Sequence, residues 1–204
     1  MDDRVALTLF RHGVTDDNRR RAYIGWTNSP LSEAATFAPV DPNRYDLIFT
    51  SDLERCIQTA KHLFPNKNVI PLPLFRELFF GEWEGKTYSD LEHDQHYRSW
   101  IADPFTVTPP DGESFQIFTE RIEEGFKAVV DQVMRTPNRR ACIVTHGGVI
   151  RYLLATYAPE KRAFWEWRIS HGTGVELEWK SDDLRSEKRC ISLREVPLTA
   201  NPNG

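Results

Sequence analysis

An α/β fold with a largely parallel sheet, flanked by helices, is what the sequence predicts, on three observations. Residues 5–10, 46–50 and 141–145 are short apolar runs. None alternates cleanly between apolar and polar residues, which is the pattern of strands covered on both faces. Each run leads into a loop of polar residues and then into a helical or turn-rich stretch.

The elements follow in order. Residues 5–10 form the first strand and end at Arg11-His12-Gly13. After the second run, Ser51-Asp52-Leu53-Glu54 has the Ser-x-x-Glu spacing that lets each side chain satisfy a free N–H at a helix start. Leu53, Cys56, Ile57, Ala60, Leu63 and Phe64 then recur at helical intervals, with Glu54, Gln58 and Lys61 toward water, until Pro65 stops the helix. The Pro-rich stretch 103–112 reads as a surface loop. Phe115, Phe118, Ile122, Phe126, Val129, Val130 and Val133 predict a longer helix over 114–135. Beyond the third strand, His146-Gly147-Gly148 opens a helix that runs to Pro159. Residues 175–196 read as a hairpin turning in Ser181-Asp182-Asp183, and 198–204 as a flexible tail. There is no internal repeat, so a single domain over 1–204 is expected.

Charge and cysteine usage exclude several classes of function. With 26 basic and 30 acidic residues the net charge is −4, which offers no general attraction to nucleic acid or to an anionic membrane. Cys56, Cys142 and Cys190 match neither a disulfide framework nor a paired-cysteine zinc site, and a reducing compartment is the simpler reading. The first ten residues lack a basic leader and a long apolar run, and 141–158 is too polar and too short to span a bilayer. A cytoplasmic protein is expected. Both a monomer and a homodimer stay open.

Chemistry gathers where the strands end. Arg11, His12 and Gly13 follow the first strand, Arg55 lies in the first turn after the second, and His146, Gly147 and Gly148 follow the third. In open α/β sheets ligands collect outside the carboxyl ends of the strands, so these segments can converge. Two guanidinium groups, two imidazoles and helix-start N–H groups suit a dianion, and a phosphate site is the natural inference.

Leu9-Phe10-Arg11-His12-Gly13 with Thr15 and Asn18, Thr50-Ser51-Asp52-Leu53-Glu54-Arg55 with Gln58-Thr59-Ala60, and Thr145-His146-Gly147-Gly148 together resemble the histidine phosphatases, the phosphoglycerate-mutase-like superfamily. Arg76-Glu77-Leu78-Phe79-Phe80-Gly81-Glu82-Trp83-Glu84-Gly85 and Gly112-Glu113-Ser114 resemble its phosphatase branch, including the α-ribazole phosphatases. The resemblance implies a three-layer sandwich with a central, mostly parallel sheet. It implies a metal-independent phosphatase, needing no cofactor, that acts on a small phosphorylated metabolite through a phosphohistidine on His12. Glu77 would be general acid and base, kept protonated by burial against Phe79, Phe80 and Trp83. Arg11, Arg55, His146, Asn18 and Gly147 would hold the phosphoryl oxygens. Phosphoglycerate mutase-type transfer is the alternative, and a non-catalytic phosphate-binding protein a further one; mutases usually carry an Arg-His-Tyr-Gly-type block where this chain has Leu78-Phe79-Phe80-Gly81.

Other residues carry weaker signals. His93 and His96 are three apart in an expected helix, a spacing that suits a metal but lacks a third ligand, so a solvated face is favoured. His171 precedes Gly172-Thr173-Gly174 in an expected turn, where substrate contact is the minority reading. Arg19-Arg20-Arg21 could bind a polyanion but reads first as solvated. The family's segment after the signature normally has an acid where Asn28 stands and then a helix of several turns; here only a short helix fits between Glu33 and Ala38. That shortening is expected to change the shape of one wall.

Overall fold

The computed structural model describes residues 3–35 and 40–197. The strands are β1 (Arg4–Arg11), β2 (Leu47–Thr50), β3 (Ile70–Pro71), β4 (Arg140–Thr145), β5 (Thr173–Lys180) and β6 (Ser192–Pro197). The helices are α1 (Asp16–Arg19), α2 (Glu54–Leu63), α3 (Tyr88–Leu91), α4 (Gln95–Ala102), α5 (Phe115–Val133), α6 (Gly147–Tyr157) and α7 (Ser181–Arg185). The sheet order is β3-β2-β4-β1-β5-β6. β3, β2, β4 and β1 pair in parallel, β5 pairs antiparallel with β1, and β6 antiparallel with β5.

The missing alternation in the strand runs has a direct cause. In β1, Val5, Leu7 and Leu9 pack in one core with Ile122 and Phe126 of α5 and Ile150 and Leu153 of α6. Phe10 points the other way, into a second core with Cys142 and Val144 of β4 and Cys56, Ala60 and Leu63 of α2. Successive strand residues face opposite sides, so both parities must be apolar when helices cover both faces. Each fully buried aliphatic side chain contributes about 1.5–3 kcal/mol, which is why this pattern dominates local propensity.

The three expected longer helices are present, over 54–63, 115–133 and 147–157, each within two or three residues of its expected ends, and 103–112 is irregular. Three local expectations need correction. The Ser51–Glu54 capping box does not form: α2 starts at Glu54 without a side-chain cap at Leu53. Asn28 Oδ1 instead accepts the Glu54 N–H at 3.3 Å, while Ser51 Oγ sits 2.9 Å from His146 Nε2. The chain from Ser181 does not turn tightly but forms α7, whose first-turn Asp182 and Asp183 favour the positive helix start, and β6 begins only at Ser192. His93 lies in a turn before α4, so His93 and His96 share no helix. Of the short helix expected after Leu31, Glu33 and Ala34 form a turn, and residues 36–39 lie outside the described residues, as does the tail 198–204.

A third, aromatic cluster of Trp83, Leu91, Tyr97 and Trp100 joins α3 and α4 to the segment before them, with Tyr23, Leu78 and Phe80 packed against it. Tyr23, Phe80 and Trp100 share a cavity with Glu77 and with Gly148, which lies just past the carboxyl end of β4. No described helix is long and apolar enough to cross a membrane.

Candidate active site

His12 extends the β1–β4 ladder by one bond, its N–H donating to Thr145 O at 2.9 Å. The next residue is tied to α2, since Gly13 N donates to Thr59 Oγ1 at 2.9 Å. His12 is 3% exposed, and its Nδ1 lies 2.7 Å from Gly13 O. A carbonyl can only accept, so Nδ1 carries the proton and Nε2 keeps its lone pair. Thr15 and Asn18 form a reciprocal capping box at α1: Thr15 Oγ1 accepts from Asn18 N, and Asn18 Oδ1 accepts from Thr15 N. That bond leaves the Asn18 amide nitrogen as its donor face.

The residues singled out from distant segments meet around this ring. His146 directly follows β4, is fully buried, and its ring centroid is 5.1 Å from that of His12. Cys56 Sγ lies 3.4 Å from His146 Nε2, on the floor of the site. Arg55 is 1% exposed and donates to the carbonyls of Gly25 at 2.7 Å, Thr27 at 3.1 Å and Ile24 at 3.4 Å. That loop is itself anchored by Glu84, which accepts the N–H groups of Gly25, Trp26, Thr27 and Phe80 at about 3.0 Å each. Glu84 therefore spends its carboxylate on the backbone, which separates it from Glu77. Arg11 donates to Ile169 O, and a Cβ on Gly147 would sit 3.2 Å from the Arg11 Cζ, so the helix start of α6 lies against that guanidinium.

His171 belongs to the same group. Its ring centroid is 5.3 Å from His12. The Nε2 of His171, the Nε of Arg11 and the Nε of Arg55 are buried with no hydrogen-bond partner. Buried polar nitrogens left unpaired are costly, and two guanidinium Nε–H donors with an imidazole nitrogen beside the His12 ring suit an anion. The sequence ranked His171 low because a lone histidine before glycines carries no spacing signal. Only the antiparallel return of β5 beside β1 brings it to His12.

Glu77 is held by a clamp that the sequence did not disclose. Its Oε2 accepts from Gly148 N at 3.0 Å and its Oε1 from Leu78 N at 3.1 Å. A Cβ on Gly148 would lie 2.3 Å from Oε1, so the approach requires glycine. Arg121 of α5 donates to the carbonyls of Leu74 at 2.9 Å, Arg76 at 2.7 Å and Glu77 at 2.9 Å, and is gripped by both oxygens of Glu113 at 2.6 and 2.7 Å. The expected setting of Glu77 needs correction in part. Trp83 lies in the cluster with Tyr97 and Trp100, and Phe79 packs at a tilt against Trp26, while Leu78, Phe80, Phe115 and Phe118 line the cavity with Glu77.

That cavity has a volume of about 180 Å³ and is mostly aromatic, with Tyr23, Phe80, Trp100, Phe115, Phe164 and Trp165 in its wall beside Glu77, Gly148 and Arg151. Arg19 and Arg20 pair with Asp16 and Asp17, so the arginine triplet is no open basic patch. Among the described residues no group of three or more His, Cys, Asp or Glu is placed to hold a metal.

A sequence model of the histidine phosphatase superfamily (branch 1) matches residues 7–191. The chain belongs to this superfamily. An adenosylcobalamin/alpha-ribazole phosphatase of Salmonella typhimurium is 33% identical over 191 residues, covering 88% of this chain and 91% of the relative. One from Escherichia coli is 30% identical over 194 residues, covering 89% and 94%. The crystal structure of the alpha-ribazole phosphatase from Shigella flexneri superposes with a TM-score of 0.72 at 27% identity, covering 85% of this chain and 90% of that one. The protein is thus a phosphatase of the phosphohistidine-forming kind.

Electrostatics set the protonation of this histidine phosphatase. Burial, then the charges of Arg55, His171 and Arg11, holds the His12 imidazole well below its usual value, against the pull of the Gly13 carbonyl. Burial and Arg55 do the same to His146, and burial with Arg11 and Arg55 lowers His171 to about 4. Burial lowers Arg11 to about 10, which leaves it charged at neutral pH. The three histidines bind protons near pH 6.5 when unfolded and resist doing so when folded. Stability should therefore be constant above about pH 6.5 and fall below it, by up to about 1.4 kcal/mol per pH unit for each imidazole. Urea melts between pH 7.5 and 5 check this, and a flat profile contradicts it.

Proposed function

We propose that this phosphatase hydrolyses a small-molecule phosphate monoester whose leaving group carries a planar, apolar ring system, with His12 Nε2 as nucleophile and Glu77 as proton donor and acceptor. The observation that carries the assignment is the set of unpaired buried nitrogens of Arg11, Arg55 and His171 around the His12 ring. The two guanidinium nitrogens are donors that phosphoryl oxygens would satisfy, and the imidazole nitrogen stands beside them.

The Nε2 lone pair of neutral His12 forms a bond to phosphorus, and the ester P–O bond breaks. The leaving oxygen takes a proton from Glu77, beside which the aromatic cavity receives the departing group. Charge on the transferring group is met by Arg11, Arg55, His146, the Asn18 amide and the Gly147 N–H at the start of α6. Water then gives its proton to Glu77 and attacks phosphorus, the P–N bond breaks, and inorganic phosphate leaves. Neutral His12 needs no separate base, because desolvation already keeps its lone pair free.

The relatives are named for α-ribazole and adenosylcobalamin. An aromatic cavity beside the proton donor fits a leaving group of that kind better than a glycerate. We take α-ribazole 5′-phosphate as the reference substrate, and the buried free cysteines fit a reducing, cytoplasmic setting. In the test, α-ribazole 5′-phosphate and 3-phosphoglycerate, the latter with and without bisphosphoglycerate, are compared by kcat/KM and product analysis. The expected result is free phosphate from α-ribazole phosphate with an advantage of about 100-fold or more over 3-phosphoglycerate. Formation of 2-phosphoglycerate at the faster rate would establish the mutase reading instead.

A further inference from the structure

The aromatic cavity beside Glu77 is small. A cavity of about 150 Å³ holds a single benzene ring, so 180 Å³ accommodates one ring attached to the ester oxygen and little more. It does not end in a closed wall. Tyr23, Trp100, Pro104 and Trp165 line both this cavity and a second, open one of about 550 Å³, whose other walls include Ile101, Ala102, Asp103 and Phe105.

We propose that this outer cavity is a shelf for a second, uncharged apolar ring system of the substrate, continuous with the ring bound beside Glu77. The proposal rests on the phosphatase reading and adds to it the size and charge of the substrate's distal part.

Three features support it. First, Ile101, Phe105 and Trp165 are 49%, 45% and 53% exposed, yet they belong to one cavity instead of being scattered. Single exposed apolar residues are ordinary, whereas a contiguous patch at the mouth of a reactive site marks a binding surface. Second, the shelf is rigid. Tyr23 is fixed by the 2.6 Å contact between its hydroxyl and that of Tyr97, and Trp100 is stacked on Tyr97. Phe105 packs edge-on against Phe115 at 4.7 Å and against Phe164 at 6.0 Å. Rings already held in place bind a planar ligand with little further ordering cost. Third, the charges present select against an anion. Asp103 is the acid in the shelf wall, and its carboxylate is fixed by the Thr106 hydroxyl at 2.6 Å and the Phe105 N–H at 3.3 Å. Arg151, the cation in the inner wall, already donates to Trp167 O at 3.0 Å and lies over the Trp165 ring at 5.6 Å. A distal phosphate or carboxylate would meet Asp103 with no cation beside it on the shelf.

Phenyl phosphate and biphenyl-4-yl phosphate test the proposal, because their leaving phenols are of similar acidity and differ in the second ring. The ratio of their kcat/KM values is the readout, and it does not depend on the fraction of active enzyme. The wild type is expected to prefer the biphenyl ester by about tenfold or more. Ile101→Ser and Phe105→Ser, neither of which lines the inner cavity, are each expected to reduce that preference severalfold. A carboxylate added at the far end of the second ring is expected to abolish it. A wild-type ratio near one, with phenyl phosphate turned over, overturns the shelf while leaving the phosphatase reading intact. An unchanged ratio in both variants overturns it equally. Failure of the wild type to hydrolyse either ester would overturn the aromatic-ester reading and the shelf with it.

Discussion

His12→Ala is expected to reduce kcat/KM for every phosphate ester by roughly 10⁴-fold or more, since a reaction that depends on a covalent step loses its nucleophile. Acid quenching during turnover of a radiolabelled ester should trap label on the wild type and none on this variant. The variant is not expected to be less stable below pH 6.5. It removes an imidazole that burial keeps neutral at a cost, so its acid-induced loss of stability should be shallower than that of the wild type. His146→Ala separates the two imidazoles. In the proposed mechanism it removes a group that meets phosphoryl charge but leaves His12 Nε2 in place, so it should slow turnover while still allowing label to be trapped on the protein. Turnover by His12→Ala within about tenfold of wild type, or label found on His146, would refute the assignment.

A second large effect is expected far from the nucleophile. Arg121→Met removes five hydrogen bonds, three of them to the carbonyls of Leu74, Arg76 and Glu77, and leaves Glu113, whose side chain is 7% exposed, without its cation. Breaking a buried pair by removing one partner costs about 3–5 kcal/mol. Arg121 touches neither His12 nor the unpaired nitrogens around it, so it acts as a positioning residue for Glu77. Misplacing a proton donor by about 1 Å costs about 100-fold in kcat. The prediction is a fall in kcat of about that size with the inhibition constant for inorganic phosphate unchanged. The double variant Glu113→Leu/Arg121→Met should regain part of the stability, because no charge is left buried alone, but none of the rate. If kcat stays at the wild-type value while stability falls, the clamp supports the fold alone.

The parts of the site that could be read from sequence are those whose residues lie next to a strand end. Arg11 and His12 follow β1, Arg55 follows β2, and His146 and Gly147 follow β4, and a parallel sheet brings such positions together without further information. Glu77 was reached only through the family resemblance, because it lies in irregular chain where no period places a side chain. His171 and Arg121 had no comparable signal. His171 depends on β5 running back along β1, and Arg121 sits on a helix whose amphipathic pattern reads the same whether its polar face meets water or a backbone loop.

Local rules also competed where the sequence offered two answers. Ser51 has the spacing of a helix cap, but its hydroxyl is 2.9 Å from His146, and Asn28, which departs from the family pattern, takes the Glu54 N–H. Ser181-Asp182-Asp183 is as good a first helical turn as it is a hairpin turn, and the structure uses it as the former. Such choices turn on about 1 kcal/mol of capping or turn energy, which tertiary contacts readily outweigh.

By itself the sequence determined the α/β architecture, because apolar periodicity is a property of short segments, and its motifs carried the superfamily; strand-end position nominated Arg11, His12, Arg55 and His146 as candidates for the site. The tertiary structure alone decided that His171 joins His12, that Arg121 and Glu113 hold Glu77, and that the aromatic residues of segments near 23, 80, 100, 115 and 165 enclose one cavity. Those arrangements depend on contacts between segments far apart in the chain, and no local pattern encodes which distant surface a polar or aromatic side chain will meet.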